Sequence, residues 1–450
     1  MKTVVVIDGD TVTRALYAQC LAGDGWRVLE AEDGAAGIAL VLEQEPDAVI
    51  CDMRTRRHSG IQVCKLIREE PALRGTRVVL TTASKFLNDK EGALQAGAHG
   101  YLIKPILPAD LHGALDGGEL GGAHAEPAAP TGADHAGPTT IRFWGVRGSI
   151  PSPGESTRRY GGNTTCVEVR AGGRIIILDA GSGIRKLGQA LMGEFAGAPM
   201  DLTLLMTHTH WDHIQGFPFF IPAYSPKVNV RILGYEGAVH GLRAALFEQM
   251  QSAFFPVKLN QMASHVTFEE LDALRFTIAG IEVTAAYTSH PGVCLGYRLG
   301  TPGGDLVFMP DHEAFERREL ERQKAAGTDE PAAADFARQQ DEKMVAFAKD
   351  ADVTIADSQY TVDEYPSRLG WGHTCFEDTV RNAIRANARQ LFLFHHDPDR
   401  DDAQLDQIVA RSREIVSEAG ADLRVDAASE GAEVVLEKKV AAGWKGSVAS

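Results

Sequence analysis

The sequence predicts a parallel α/β domain, then a linker, then a larger domain built mainly from strands. Three observations carry this reading. Short apolar runs alternate with helix-length stretches up to about residue 116. Residues 117–139, GGELGGAHAEPAAPTGADHAGPT, are rich in Gly, Ala and Pro and nearly free of large apolar groups, so they bury too little surface to order themselves. Beyond them, strand patterns follow one another with few helices between. The boundaries expected are a domain over 1–116, a flexible linker over 117–139, a second domain over 140–440 and a frayed tail over 441–450. The 450 residues suffice for two or three domains with real cores.

In the first domain, TVVVI (3–7), RVLEA (27–31), DAVIC (47–51), RVVLT (77–81) and GYLIK (100–104) read as strands. Each precedes a stretch of helix length, so five parallel strands with helices on both faces are expected. In the second domain the strand candidates are 140–145, 165–170, 174–180, 202–207 and 228–233, then a helix over 236–251. Strands at 275–280, 281–288, 295–300 and 305–309 follow. Residues 313–350 are charged and Ala-rich with GTDEP in their middle, which suggests two solvated helices joined by a turn. A strand at 353–357, a helix at 375–388, a strand at 390–394, a helix near 402–418 and the strand EVVLE complete the pattern.

Composition narrows the class. Hydrophobic residues make up 44%, ordinary for a water-exposed globular chain. No apolar run reaches the roughly 18–20 residues that span a bilayer. The start, MKTVVVIDGD, lacks the layout of a signal peptide. A cytoplasmic protein without a membrane partner is expected. The six cysteines (Cys20, Cys51, Cys64, Cys166, Cys294, Cys375) form no C-x-x-C pair and read as reduced thiols. A formal charge of −16 argues against a long nucleic acid as partner. A small anionic ligand remains open, because a metal brings its own positive charge.

Function in a parallel sheet gathers at the carboxyl ends of the strands. Those ends carry Asp8, Asp52, Thr82 and Lys104. Two carboxylates, a hydroxyl and an ammonium suit a divalent cation and a transferred phosphoryl group. With VIDGD, DAVICDM, Gly60 eight residues after Asp52, TTAS and AGAHGYLIKPI, residues 1–118 resemble the receiver domain of two-component response regulators. The resemblance implies Asp52 as phosphoacceptor, Thr82 as switch hydroxyl, Lys104 as the partner lysine and Tyr101 as switch aromatic. It implies a histidine kinase as partner and Mg²⁺ as cofactor. Gly9 stands where such domains usually carry a second acid, and Arg56 stands where they carry proline, so Mg²⁺ binding and phosphorylation of Asp52 are left in question. A degenerate receiver used for docking or homodimer formation is the alternative.

In the second domain, THTHWDH (207–213) follows the apolar run LTLLM. His208 and His210 share one side of an extended segment, with Asp212 and His213 just after. Imidazoles and a carboxylate at this density suit Zn²⁺, Mn²⁺ or Fe²⁺. The H-x-H-x-D-H motif resembles the metallo-β-lactamase superfamily, an αββα sandwich with metals at one end of its sheets, over about residues 140–440. TSHPGVCLGYRL, LVFMPDHE and LFLFHHDP extend the resemblance. It implies two divalent ions, Zn²⁺ foremost. One would be held by His208, His210, His290 and Asp311, the other by Asp212, His213, Asp311 and His395, with Asp311 as bridge. His396 is the alternative to His395, and Asp179 in LDAGSG is expected to brace the ligand loop. GWGHTCFEDTVRNAIRANARQLFLFHHDP resembles the tRNA 3′-processing branch and its small-molecule relatives, which implies His373 beside the scissile phosphate. Arg147, Arg158 and Arg159 are further candidates for meeting that phosphate.

The function these readings favour is a dinuclear phosphodiesterase for a small nucleotide, linear or cyclic, under receiver control. Asp212 would orient the nucleophile and His373 would protonate the leaving alkoxide. RNA 3′-end processing of the tRNase Z type and a non-catalytic signalling scaffold are the alternatives.

Overall fold

The computed structural model describes residues 2–437 apart from 23–24, 54, 56, 83–92, 95, 104–105, 107–110, 112, 116–136, 235–240, 252 and 272. The chain forms two compact units, Met1–Thr131 and Gly132–Ser450. Most of the expected linker and the whole of the expected tail lie outside the described residues.

In the first unit, strands β1 (Thr3–Ile7), β2 (Arg27–Ala31), β3 (Ala48–Asp52), β4 (Arg77–Thr82) and β5 (Gly100–Ile103) form a parallel sheet in the order 2-1-3-4-5. Helices α1 (Thr11–Ala22), α2 (Gly34–Gln44) and α3 (Gly60–Glu69) cover it. Val5, Ile7 and Val49 pack on one face with Val41 of α2 and Val63 and Ile67 of α3. Val4, Val6 and Ile50 pack on the other with Tyr17 and Leu21 of α1. Alternate residues of one strand thus serve two cores, so the runs read as continuously apolar. Ser59 starts α3 with a full capping box against Gln62, and the Asp33 carboxylate caps α2 through the Ala36 amide.

The second unit has two seven-stranded mixed sheets. The first runs β11 (His265–Glu270), β10 (Val228–Gly234), β9 (Met200–Leu205), β8 (Arg174–Leu178), β7 (Cys166–Ala171), β6 (Thr139–Gly145), β19 (Glu433–Leu436). The second runs β12 (Arg275–Ile278), β13 (Ile281–Tyr287), β14 (Leu295–Thr301), β15 (Gly304–Met309), β16 (Val353–Asp357), β17 (Gln390–Phe394), β18 (Arg424–Ala427). Ile141, Phe143 and Val167 of the first meet Tyr297, Phe308, Phe392 and Phe394 of the second in one core. There the rings of Phe143 and Phe392 lie 5.1 Å apart.

The helices of this unit are α4 (Ile184–Phe195), the short α5 (Trp211–Ile214), α6 (Leu242–Gln249), α7 (Phe315–Ala326), α8 (Pro331–Phe347), α9 (Phe376–Arg385) and α10 (Asp402–Glu418). Leu187 and Leu191 of α4 and Leu246 of α6 pack on the outer face of the first sheet. Val380 of α9 and Leu405, Ile408 and Ile415 of α10 pack on the outer face of the second. The layers are therefore α, β, β, α, the metallo-β-lactamase fold. Among the described residues no helix is long and apolar enough to cross a membrane.

Several elements depart from the sequence reading. The helix expected over 236–251 runs from Leu242 to Gln249, and residues 235–240 are outside the described set. Two strands went unread, His265–Glu270 and Arg424–Ala427. Both carry charged residues because they are sheet edges that take their place from pairing with apolar neighbours. The helix pair expected within 313–350 is present, but only α7 lacks buried residues. Helix α8 packs Val345 beside Val307 and Met309, and its Asp341 carboxylate accepts from the Phe315 and Glu316 amides at 2.9 and 2.8 Å to cap α7.

Gly145 sits at a β-bulge where β6 leaves β7, and a Cβ there would lie 1.8 Å from the Thr164 carbonyl oxygen. Backbone cannot give way as a side chain does, so Gly145→Ala is expected to cost about 2 kcal/mol or more in urea unfolding. Gly193, in the exposed part of α4 with nothing near its missing Cβ, is the control. Gly193→Ala is expected to stabilise by about 0.5–1 kcal/mol. Equal effects at the two positions would contradict this packing.

Candidate metal centre

In both sheets of the second unit, parallel strands end on the same edge. Polar side chains collect there. Asp179 follows β8; His208, His210, Asp212 and His213 follow β9; His290 follows β13; Asp311 follows β15; His395 follows β17. All seven sequence-predicted ligands are brought together, in overlapping groups whose candidate ligand atoms lie within 4.8 Å of one another. His208, His210 and His290 form one group, and Asp212, His213 and His395 form another.

Asp311 stands between the groups. Its Oδ2 lies 3.7 Å from His208 Nε2 and 3.6 Å from His290 Nε2. Its Oδ1 lies 3.1 Å from His213 Nε2 and 3.5 Å from His395 Nε2. One carboxylate oxygen thus faces each group. His396 does not join them: its ring donates Nε2–H to the Ala428 carbonyl at 2.9 Å.

The ligand side chains are held from behind. Asp179 Oδ2 lies 2.8 Å from His213 Nδ1, while its Oδ1 accepts from the Thr207 amide. Asp179 therefore braces the loop. The Gly372 carbonyl accepts from His290 Nδ1 at 2.9 Å, and Gln359 Oε1 accepts from His395 Nδ1 at 2.9 Å. The Ser149 amide donates to Asp212 Oδ2 at 2.7 Å. Three of these residues, Asp179, Ser149 and His395, have φ of 61°, 63° and 59°. Such left-handed backbone costs energy in a non-glycine residue and concentrates at functional sites.

Burial disfavours charge on the imidazoles, and position decides which of them overcome it. Burial, aided by the neighbouring His213, holds His208 well below the usual histidine range, and burial takes His290 down to about 4. His213 is as buried, but Asp311, Asp212 and Asp179 outweigh the burial and raise it well above the usual range. Asp311 and Asp212 likewise raise His395 to about 9 against its burial. Asp311 stays well below the usual carboxylate range, burial being outweighed by His213, His395 and His208.

These residues fit divalent cations. His208 Nε2 is buried without a hydrogen-bond partner, and His213 Nε2 and Asp311 Oδ1, 3.1 Å apart, lie outside hydrogen-bond geometry. An orphaned buried polar atom costs roughly 1–3 kcal/mol, and a cation bound by these atoms removes that cost. Nitrogen and carboxylate donors in this mixture suit Zn²⁺, Mn²⁺ or Fe²⁺.

His373 joins two further groups of this kind, one with His290 and Asp311 and one with Asp357 and His395. Its Nδ1 donates to Asp357 Oδ2 at 2.7 Å, and its ring stacks 4.6 Å from that of His395. Asp357, fully buried at the end of β16, went unread in the sequence, as did Gln359 two residues on. The signal was present: VTIAD ends a strand on Asp, as the β8 segment leads into Asp179. Ser149 acts through its backbone and left no side-chain signal.

The three arginines named as candidates for meeting a phosphate have other partners. Arg147 is fully buried and donates to the carbonyls of Gly161, Asp397 and Arg400 at 2.9, 2.8 and 2.6 Å. It clamps the loop after His395 and is no phosphate ligand. Arg158 pairs with Glu155 and Arg159 with Asp406.

In the first unit, Asp8, Asp52 and Thr82 lie at the ends of neighbouring strands β1, β3 and β4. The Asp10 carboxylate accepts through Oδ2 from the Thr13 amide and hydroxyl at the start of α1. Tyr101 is buried on β5. Lys104 and Arg56 lie outside the described residues.

Comparison with known proteins agrees with the two folds. Residues 4–116 match the response regulator receiver domain, and residues 174–329 match the beta-lactamase superfamily domain. The probable transcriptional regulatory protein TcrX of Mycobacterium tuberculosis is 34% identical over 104 residues, 23% of this chain and 44% of TcrX. The chain thus spans less than half of that relative. The metallo-beta-lactamase fold protein YhfI of Bacillus subtilis is 18% identical, with a TM-score of 0.45 over 66% of this chain and 99% of its own. A diphosphatase of the PhnP family is 15% identical, with a TM-score of 0.45 over 67% and 98%.

Two outcomes follow from the geometry. Neighbouring carboxylates favour the charged forms of His213 and His395 against their burial, so metal uptake competes with protons at these rings. Titration with Zn²⁺ in buffers of differing ionisation enthalpy is expected to show release of about two protons per chain; no release would contradict the charge assignment. His395→Ala is expected to lower metal content by one ion per chain, whereas His396→Gln leaves it unchanged. The reverse pattern would exchange their roles.

Proposed function

We propose that this chain, which joins a response regulator receiver domain to a metallo-β-lactamase-fold domain, is a dinuclear metal-dependent phosphodiesterase for a small nucleotide, linear or cyclic, under receiver control. The observation that carries the hydrolytic reading is the His373–Asp357 pair beside seven residues able to hold two divalent ions. Bound ions, Zn²⁺ foremost, would supply Lewis acidity and a water of near-neutral pKa.

The chain's own residues supply the rest. Asp212, whose Oδ2 accepts from the Ser149 amide, would orient the attacking water. Asp357 holds the Nδ1–H of His373, which leaves Nε2 to carry a proton to the leaving alkoxide. General acid catalysis of this kind contributes roughly 10²–10⁴-fold. The same machinery would cleave an RNA 3′ end, but a formal charge of −16 disfavours a long polyanion. In the receiver domain, Asp52 is the proposed phosphoacceptor, with Asp8 and Thr82 in its pocket, Lys104 as the partner lysine that the receiver resemblance implies, and a histidine kinase as donor. Mg²⁺ would be held there mainly by Asp8 and Asp52.

His373→Ala is expected to keep its metal and fold. It should lose roughly 10²-fold or more in turnover of an alkoxide-leaving nucleotide diester, and far less on bis-p-nitrophenyl phosphate, whose leaving group needs little protonation. Equal losses on both would refute proton donation, and loss of an ion would make His373 a ligand.

A Cβ at Gly9 would have the Glu32 carbonyl at 3.9 Å as its nearest contact among the described residues outside its chain neighbours, so the backbone there tolerates a side chain. Gly9→Asp is therefore expected to speed labelling of Asp52 by a small phosphodonor. Wild type labelling as fast as the variant would show that the missing acid does not limit this pocket.

A further inference from the structure

Two tryptophans adjoin the metal-site histidines and remain largely in solvent. Trp211, between His210 and Asp212, is 71% exposed, and Trp371, two residues before His373, is 56% exposed. An exposed indole forfeits a large burial gain, which makes it informative.

The backbone on either side of Trp371 is pinned. The Gly370 amide donates to the buried Glu313 carboxylate at 2.7 Å, which also accepts from Tyr365 Oη. The Gly372 carbonyl accepts from His290, and a Cβ on Gly372 would lie 2.3 Å from His290 Nδ1. Gly370 and Gly372 have φ of 80° and 90°, so G-W-G is a tight loop pressed against a candidate ligand. Arg368 places its guanidinium 4.7 Å from the indole centroid. Trp211 is displayed by a segment equally fixed, since Asp212 and His213 beside it are buried. The two histidines concerned touch: His290 Nε2 lies 2.9 Å from His210 Nδ1. The segments that carry the two tryptophans therefore meet at the same histidine pair.

We propose that Trp371, backed by Arg368, and Trp211 form a stacking subsite for a planar heteroaromatic group, so that the substrate carries a nucleobase beside its phosphate. This rests on the phosphodiesterase reading for its position in catalysis, but its binding consequence can be tested separately. Stacking is sequence-tolerant, and a cation above the ring strengthens the platform.

The test is calorimetric binding of adenosine 5′-monophosphate and of ribose 5-phosphate to the full, metal-loaded chain. Wild type is expected to bind the adenosine ligand about fivefold or more tightly than the sugar phosphate, the lower end of base–aromatic stacking. Trp371→Ala should abolish that advantage and leave sugar-phosphate affinity unchanged; Trp371→Phe should keep most of it. Metal content and circular dichroism of each variant report its fold. Equal binding of the two ligands by wild type, no binding of either, or an advantage that survives in both Trp371→Ala and Trp211→Ala would overturn the proposal. Base discrimination without hydrolysis of any phosphodiester would remove the phosphodiesterase reading and leave the subsite standing. Hydrolysis without base discrimination would do the opposite.

Discussion

Asp311 places a buried negative charge where two groups of imidazoles meet, one oxygen toward each. Removing a carboxylate from water costs several kcal/mol unless neighbours compensate. Here the compensation comes from side chains on β9, β13 and β17 loops that no local sequence rule would join. Only the stacking of two mixed sheets, with their parallel strands ending on one edge, brings these loops within reach. The His208 Nε2 atom, buried without a hydrogen-bond partner, marks where the protein alone leaves this balance incomplete and where a divalent cation would complete it.

Around this charge the chain orients its histidines from the outside. His213, His290 and His395 each present Nδ1 to a fixed partner, Asp179, the Gly372 carbonyl and Gln359. Their Nε2 atoms are thereby turned toward Asp311. Such outer partners set tautomer and ring direction and raise ligand basicity. The same device recurs at His373 with Asp357, outside the proposed ligand set, and there it fits a proton carrier. Left-handed backbone at Asp179, Ser149 and His395 is part of the cost of this arrangement, and Arg147 helps hold the last of these loops in place.

Much of this was legible in the sequence, for physical reasons. The apolar runs of the parallel strands are buried on both faces, so their composition alone marks them. H-x-H-x-D-H is dense enough in donors to announce a metal site. His395 could be separated from His396 only by resemblance, since both follow β17 and only the fold shows which ring faces inward. The edge strands His265–Glu270 and Arg424–Ala427 escaped because their place depends on a neighbour. Arg147 was misjudged because an arginine that hydrogen-bonds three carbonyls looks, in sequence, like one waiting for an anion. Asp357 ended a readable strand, but its role as a brace, like that of Gln359, is defined by what it touches.

The central claim is that Asp311 bridges two ions. Anomalous diffraction from crystals of the zinc-loaded chain, recorded on both sides of the zinc absorption edge, tests it directly. The account requires two anomalous peaks about 3.5–4 Å apart, one among His208, His210 and His290 and the other among Asp212, His213 and His395, with Asp311 between them. A single peak in catalytically active crystals, or a second peak away from Asp311, would contradict it.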